Sequence, residues 1–370
     1  MVTREQILKT LEGVRDPELG GNVVELGMIS DVEVTSATVS IGLALTIAEC
    51  PLRSQIEGDT RRRVEAMPGV DEVILRTTAM TSRQRSELMN VARQRARDNA
   101  EATQVSPSTR VVAVASGKGG VGKSSVSVNL AAGLVTRGFR VGLLDADIWG
   151  FSVPNMLGIE GRLEADSSTK LIRPIEVNGM KVISTGLIIE SEETALMWRG
   201  LMLSKALEQF LKQVEWGELD YLIIDMPPGT GDVQMALTRM LPQAEMVVVT
   251  TPQRAAQKVA LRVADMARRS HMPILGVVEN MTGDVFGQGT GAELADELGV
   301  QLLGAIPLDP AVVEGGNNGM PLVTDQNPGP AATALNKLVD SLVVALPPAE
   351  LETCTGRIAK LLADLENGAA

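Results

Sequence analysis

The sequence predicts an α/β protein in which a doubly wound, mostly parallel sheet follows a smaller α/β domain. Two observations carry this prediction: short, continuous apolar runs recur from residue 110 onward, and helical periods separate them. Continuous apolar runs are typical of parallel strands that are covered on both faces. The runs are Val111–Ala115, Val141–Asp145, Leu222–Asp225, Met246–Thr250 and Ile274–Glu279, and the helical periods include Val126–Arg137 and Ala255–Arg269.

The first 81 residues predict a small α/β domain of their own. A helical period runs over Arg4–Val14, strand-like runs cover Ile29–Val34, Ala37–Leu45 and Asp71–Arg76, and a further helix follows Cys50. Because proline suits the first position of a helix, Pro51 places Cys50 at its N-cap.

The remaining boundaries follow from composition. Residues 82–109 are highly charged and end in a Ser/Pro/Thr cluster, which predicts a solvated helix and a linker, although a helix packed on one domain fits its first half equally well. The larger domain is predicted at 110–345. Residues 346–370 predict an amphipathic C-terminal helix, with Ile358, Leu361, Leu362 and Leu365 on one face.

Composition restricts the classes of function. The 370 residues carry a formal charge of −12, from 34 basic and 46 acidic side chains, with two cysteines and one histidine. An acidic chain is a poor general partner for nucleic acid or anionic membranes, so we expect neither. Two distant cysteines indicate no secreted disulfide framework, and no apolar run is long enough to span a bilayer. We therefore expect a cytoplasmic protein.

A glycine-rich loop carries the clearest chemistry. Gly117, Gly122, Lys123 and Ser124 fit the pattern GxxxxGK[ST], between an apolar strand and a helical period. Glycines let successive backbone N–H groups turn towards phosphate oxygens, and the following helix adds its positive end. In such a P-loop, Lys123 neutralises phosphate charge and the hydroxyl of Ser124 binds Mg²⁺.

Three carboxylates follow the loop at strand ends, where ligands bind in open α/β sheets. Asp145 and Asp147 end one apolar run, and Asp225 ends the next. A phosphate cradle, a lysine and strand-end carboxylates are the parts that magnesium-assisted phosphoryl transfer to water requires.

A second lysine, Lys118 in GKGGVGKS, resembles the deviant Walker A ATPases, which include Min-type and Par-type proteins. The resemblance implies a homodimer in which Lys118 reaches the partner's nucleotide. It also implies that Lys118, Lys123 and Asp147 are catalytic, that Asp147 positions the attacking water, and that Asp145 and Asp225 join Ser124 around Mg²⁺. The implied ATP contacts are Gly117, Lys118, Gly119, Gly120, Val121, Gly122, Lys123, Ser124, Ser125, Asn280 at the adenine, and Pro307 beside the base.

Longer stretches narrow the resemblance to the Mrp/ApbC family of iron–sulfur cluster carrier ATPases. They are SGKGGVGKS, DADIWGFSVP, WRGLM, DMPPGTGD, TTPQ, VVENM and LLGAIPLDP, and they span Arg110 to about Val323. RDPELG, VVELGMI and LTIAECPL resemble the MIP18-type domain that often precedes it. This implies ATP hydrolysis and transfer of iron–sulfur clusters to apo client or assembly proteins.

The sequence departs from this family at its cluster ligands. The carriers usually have a CxxC soon after VVENM, whereas this chain has no cysteine between Met281 and Gly291. Since clusters are held mainly by thiolates, the usual cluster site is missing. Cys50 is the substitute that the sequence offers, because a helix N-terminus favours the thiolate. A small packed residue explains Cys50 equally well, and our hypothesis is that it binds iron transiently.

Two other functions remain open at this point. One is a Min/Par-like positioning ATPase, although the C-terminal helix has no excess of basic residues for a membrane surface. The other is a scaffold that ATP-dependent dimerisation controls, without a stable cluster.

Overall fold

The chain forms two compact units, Met1–Asn99 and Ala100–Ala370, in the computed structural model. The structure describes residues 2–16, 21–46, 53–98, 100–147, 150, 152–187, 200–229, 231–324 and 329–349. The division after Asn99 lies within residues 82–109, the predicted helix and linker. The first unit encloses one hydrophobic core and the second encloses two.

A three-stranded sheet forms the centre of the first unit. Strand β2 (Thr38–Leu45) pairs antiparallel with β1 (Ile29–Thr35) and parallel with β3 (Glu72–Ala79). The helices of this unit are α1 (Arg4–Leu11), α2 (Arg53–Glu65) and α3 (Ser82–Asp98). Its core includes Ile7 and Leu11 of α1, Ile41 and Leu43 of β2, Ile56 of α2 and Leu88 of α3.

Local signals set both ends of α1. Thr3 and Gln6 form a capping box, in which each side chain accepts a hydrogen bond from the other residue's backbone N–H. The helix ends at Leu11 instead of the predicted Val14. Gly13 is a poor helix former, and Val14 turns back to donate to the carbonyl of Leu11.

Among the described residues, the second unit contains an eight-stranded sheet. Its strands are β4 (Arg110–Ser116), β5 (Val141–Asp145), β8 (Ile175–Val177), β9 (Met180–Ser184), β10 (Tyr221–Asp225), β11 (Glu245–Thr250), β12 (Ile274–Thr282) and β13 (Gln301–Pro307). Their order in the sheet is β13-β12-β11-β4-β10-β5-β9-β8, and the pairs are parallel except for β8 with β9. A separate two-stranded sheet pairs β6 (Glu164–Ala165) with β7 (Ile172–Arg173).

Helices cover both faces of the large sheet. They are α4 (Lys123–Thr136), α5 (Val153–Met156), α6 (Gly200–Gln213), α7 (Gly231–Met240), α8 (Arg254–Arg269), α9 (Thr290–Leu298), α10 (Pro310–Asn317) and α11 (Pro330–Ala345). Alternate residues of β4 enter two different cores, because side chains alternate across a strand. Val111 and Ala113 pack with α6 to α9, whereas Val112 and Val114 pack with α4 and α11. The predicted doubly wound, mostly parallel fold is confirmed.

Two of the parallel strands were not predicted. Strand β13 lies at the edge of the sheet and is half exposed, so its sequence QLLGAIP lacks a continuous buried run. Strand β9 spans only five residues, although four of them are buried. The edges of the sheet thus left weaker patterns in the sequence than its centre did.

Most of the predicted C-terminal helix, residues 346–370, lies outside the described residues, the last of which is Ala349. Cys354 and the apolar positions Ile358, Leu361, Leu362 and Leu365 are therefore outside as well. Within the described ranges, no helix combines the length and the hydropathy that crossing a membrane requires.

Tyr221, at the start of β10, forms a hydrogen bond with the chain near the end of the described residues. Its ring is fully buried and meets Phe139 edge-on, with ring centroids 5.2 Å apart. Its hydroxyl donates to the carbonyl of Leu346 at 2.8 Å. Burial raises the pKa of Tyr221 above its ordinary value, so the folded chain favours the neutral phenol.

We expect Tyr221→Phe to lower the free energy of unfolding by about 1–2 kcal/mol, because a buried carbonyl loses its donor. The wild-type advantage should be complete below the ordinary tyrosine pKa of about 10, and it should shrink as pH rises above that value. Urea unfolding at several pH values measures this. Ser341→Ala, which removes an exposed hydroxyl bonded to its own helix, is the control and should change stability by less than about 0.5 kcal/mol. Equal stability of Tyr221→Phe and wild type would contradict the expectation.

Candidate functional site

The glycine-rich loop joins the end of β4 to the start of α4. Gly120 and Gly122 have φ values of 79° and 80°, in the left-handed region that glycine adopts without strain. Gly117 is required for another reason: a Cβ atom there would lie 2.4 Å from the backbone carbonyl carbon of Val259 on α8. The loop is therefore held against α8 by close backbone contact.

The open side of the loop faces a cavity of about 420 Å³. A Cβ atom added at Gly119 or Gly120 would meet no atom within 4 Å beyond its chain neighbours, so this part of the loop leaves room for a ligand. The cavity is lined by Ser116, Lys118, Gly119, Gly120, Gly122, Lys123, Ser124, Ser125, Asp147, Gly150, Ser152, Met156 and Pro228. Lys118 and the loop backbone also line a second cavity of about 140 Å³.

Asp225 accepts hydrogen bonds from the polar groups at the start of α4. Its side chain is fully buried, and its Oδ1 atom accepts from the ammonium of Lys123 at 2.7 Å. Its Oδ2 atom accepts from the hydroxyl of Ser124 at 2.6 Å. These contacts follow from topology, since β10 lies between β4, which leads into the loop, and β5. The structure thus brings three predicted residues together.

Asp145 lies on the neighbouring strand, in register with Asp225. It is fully buried and accepts from the hydroxyl of Ser184 at 2.9 Å and from the backbone N–H of Asp147 at 3.1 Å. Burial, and next the Asp225 carboxylate, raise the pKa of Asp145. Among the residues that line the larger cavity, Asp147 is present and Asp145 is not. Asp225 is absent from that lining as well, so both buried carboxylates lie behind the groups that face the cavity.

Asp147 faces the cavity with one carboxylate oxygen near the loop lysine. Its Oδ2 atom is 3.9 Å from the ammonium of Lys123, and its Oδ1 atom accepts from the N–H of Gly150 at 3.2 Å. Lys123 is thus a nearly buried cation between two carboxylates.

Asn280, near the end of β12, lies against the loop. Its side-chain amide is nearly buried and donates to the carbonyl of Val121 at 2.9 Å. A Cβ atom at Gly122 would lie only 2.2 Å from this amide nitrogen. In the described part of the chain, the side-chain amide of Asn280 forms its hydrogen bond with the loop backbone. Pro307 ends β13 opposite Thr282 and lines neither of the two cavities.

Sequence reasoning missed three polar residues that organise the site. Ser184 supports Asp145, and Ser127 places its hydroxyl 2.8 Å from Asp225. Glu279 accepts from Gly289 N–H, Thr290 hydroxyl and Gly291 N–H at 2.8–3.0 Å, which fixes the start of α9. Ser127 had a usable signal, because it lies one helical turn after Lys123; the other two had none.

The predicted iron ligand, Cys50, lies outside the described residues. Within the described ranges, no group of three or more His, Cys, Asp or Glu side chains is arranged to hold a metal ion. The oxygen atoms of Ser124 and Asp225 are instead a small set of hard donors. Mg²⁺ is typically held by one or two carboxylates together with substrate phosphates, so these residues fit it.

The geometry agrees with comparisons to known proteins. Residues 108–343 match the family of NUBPL iron-transfer P-loop NTPases, and residues 4–75 match a family of iron–sulfur cluster assembly proteins. The chain belongs to the iron-transfer P-loop NTPases. The family resemblance that the motifs predicted is therefore confirmed.

Relatives of this iron-transfer P-loop NTPase cover nearly its whole length. The iron–sulfur cluster carrier protein of Synechocystis is 41% identical over 92% of this chain and 97% of its own. That of Deinococcus radiodurans is 43% identical over 91% of this chain and 94% of its own.

Solved structures match a part of the chain. A nucleotide-binding protein from Archaeoglobus fulgidus in complex with ADP is 31% identical, with a TM-score of 0.51 over 62% of this chain and 92% of its own. The cell division ATPase MinD of Pyrococcus furiosus is 26% identical, with a TM-score of 0.50 over 63% of this chain and 98% of its own.

We expect Asp225→Asn to lower the free energy of unfolding by about 2–4 kcal/mol, because it leaves the buried ammonium of Lys123 without its closest carboxylate. Urea unfolding without nucleotide measures this. Asp220→Asn is the matched control: its carboxylate also lies 2.7 Å from a cation, but the partner Arg140 is half exposed. That pair should contribute less than about 1 kcal/mol. Equal losses for the two variants would show that burial does not set the strength of the Lys123 pair.

Proposed function

We propose that this protein is an ATP-binding and ATP-hydrolysing carrier that delivers iron–sulfur clusters to apo client or assembly proteins. The observation that carries the proposal is the convergence of Lys123, Ser124 and Asp225 beneath an open glycine loop. The names of relatives aligned over more than nine-tenths of the chain support the choice of cargo.

The chemistry of hydrolysis can be assigned to the residues around the larger cavity. Backbone N–H groups of Gly117–Ser125 cradle the phosphates, and Lys123 neutralises their charge. Ser124 and Asp225 would hold Mg²⁺, which when bound would supply positive charge against the phosphates. Asp147, which lines the cavity, orients the attacking water, and Asp145 supports the metal site from the neighbouring strand. Asn280 and Pro307 lie towards the adenine side in this proposal.

Dimerisation is the second part of the proposal. Lys118 lines both cavities, and no ion pair in the described part of the chain includes it. In a homodimer, Lys118 of each protomer reaches the nucleotide of the other, so hydrolysis depends on association.

The cluster is the cargo of this protein. Since the CxxC of related carriers is missing, we propose that Cys50 supplies a thiolate from each protomer, and that a small thiol or the client completes the usual four ligands. The cytoplasm is the proposed compartment, because the two distant cysteines suit a reducing environment.

An ATP-controlled scaffold without a cluster is the second candidate function, and the missing cysteines favour it. These relatives give no support to a Min/Par-like positioning role, because the proteins aligned over more than nine-tenths of the chain are named as cluster carriers.

We expect Lys118→Ala to reduce ATP hydrolysis at least about 100-fold, because a charge that stabilises the transition state is lost, and to abolish ATP-dependent dimers while each protomer still binds ATP. Sedimentation velocity with and without ATP, together with a hydrolysis assay, measures both. Asp147→Asn is the control and should slow hydrolysis while dimers accumulate with ATP. Normal dimers and normal hydrolysis in Lys118→Ala would contradict the role of this lysine.

Protein purified without oxygen, or reconstituted with iron and sulfide, should contain both elements, and Cys50→Ala should reduce both. Iron and sulfide analysis with visible absorption spectra measures this, and Cys354→Ala is the matched control. Equal iron and sulfide in Cys50→Ala and wild type would exclude Cys50 as a ligand. Wild-type protein without iron, but with ATP-dependent dimers, would select the scaffold function.

A further inference from the structure

Ser127 is a buried hydroxyl that the proposed hydrolysis does not use. It lies on α4, one turn after Lys123, and is fully buried. Its Oγ atom is 2.8 Å from Oδ1 of Asp225 and 3.0 Å from the carbonyl oxygen of Lys123. A hydroxyl carries one proton, so the two acceptors compete for it. The carboxylate is the stronger acceptor because it is charged.

An ordinary helical serine behaves differently. Ser341 on α11 is partly exposed, and its hydroxyl donates to the carbonyl of Lys337, four residues earlier, at 2.9 Å. Ser127 has the same kind of bond available, and it additionally reaches across to a carboxylate on β10. The extra contact requires the hydroxyl to lie between α4 and the sheet.

The three donors to Asp225 differ in whether they face the larger cavity. Lys123 and Ser124 line the larger cavity, where phosphate and metal bind in the proposed function. Neither Ser127 nor Asp225 lines that cavity, so no ligand there competes for the contact between them, and Asp225 meets the cavity through the hydroxyl of Ser124. The hydroxyl of Ser127 therefore continues to donate to Oδ1 of Asp225 while Lys123 and Ser124 contact ligand. With Oδ1 held, Oδ2 stays directed at Ser124, the other proposed metal ligand.

We propose that Ser127 is a positioning residue that fixes the rotation of the Asp225 carboxylate and so holds Oδ2 at the hydroxyl of Ser124, where the magnesium ion of the bound nucleotide would bind. This inference rests on the proposed function of the same site. Partners that orient metal ligands typically change metal affinity 10- to 100-fold when they are removed. The effect should appear in metal binding and not in the binding of nucleotide alone.

The test compares wild type, Ser127→Ala and Ser127→Thr in the full chain. In Ser127→Ala, the Mg²⁺ concentration for half-maximal ATP hydrolysis should rise about ten-fold, while kcat at saturating Mg²⁺ changes less than about three-fold. Mn²⁺ binding in the presence of ADP, followed by electron paramagnetic resonance, should weaken about ten-fold. ADP affinity in EDTA should stay within about two-fold. Ser127→Thr keeps a hydroxyl and should recover most of the metal affinity.

Ser341→Ala is the control for loss of a helical hydroxyl and should leave all four quantities unchanged. If the threonine methyl group prevents folding, Ser127→Cys, with its weak thiol donor, should give an intermediate Mn²⁺ affinity. Unchanged metal affinity in Ser127→Ala would overturn the proposal, as would a loss of kcat at every Mg²⁺ concentration without a change in metal affinity. Wild-type protein that binds Mn²⁺ with ADP but does not hydrolyse ATP would overturn only the hydrolytic part of the proposed function.

Discussion

The buried carboxylate of Asp225 is the constraint on which the site depends. A charge without solvent contact is stable only when donors surround it, and Asp225 receives three, all from the first five residues of α4. This fixes the start of α4 against the end of β10, and with it the loop that precedes the helix. The spacing of the strands in the central sheet therefore sets the distance between the loop and the strand-end carboxylates.

A second set of contacts supports the loop from its other side. Glu279 and Asn280 are neighbours on β12, and successive side chains of a strand point in opposite directions. One of them holds the start of α9, and the other holds the carbonyl of Val121 in the loop. The same strand end thus links the loop to the segment that follows β12, so a displacement of one would shift the other.

The centre of this fold was predictable from sequence, whereas its edges and its supporting contacts were not. Buried parallel strands leave continuous apolar runs, which is why β4, β5, β10, β11 and β12 were found within about two residues at each end, apart from the later end of β12. The loop and Asp225 were predictable because strand, glycines, lysine and carboxylate follow one another in a fixed order. Ser184 and Glu279 were not, because their contacts depend on which strands and helices become neighbours in space. The contact of Asn280 with Val121 was missed for the same reason.

The turn after Asn280 is a place where the chain can change in length. Gly283 and Gly287 exchange both backbone hydrogen bonds, at 2.9 and 2.7 Å, so they close a hairpin just five residues long. Val285, within this turn, is 74% exposed. The two ends of the turn are already adjacent, and lengthening a surface turn costs little in loop entropy. A ligand-bearing excursion can therefore be inserted or deleted at this point without moving β12, α9 or the loop that Asn280 supports. Phe286 of the same turn lines the smaller cavity together with Lys118 and the loop backbone, so a change in the length of this turn alters one wall of that cavity while β12 and α9 keep their places.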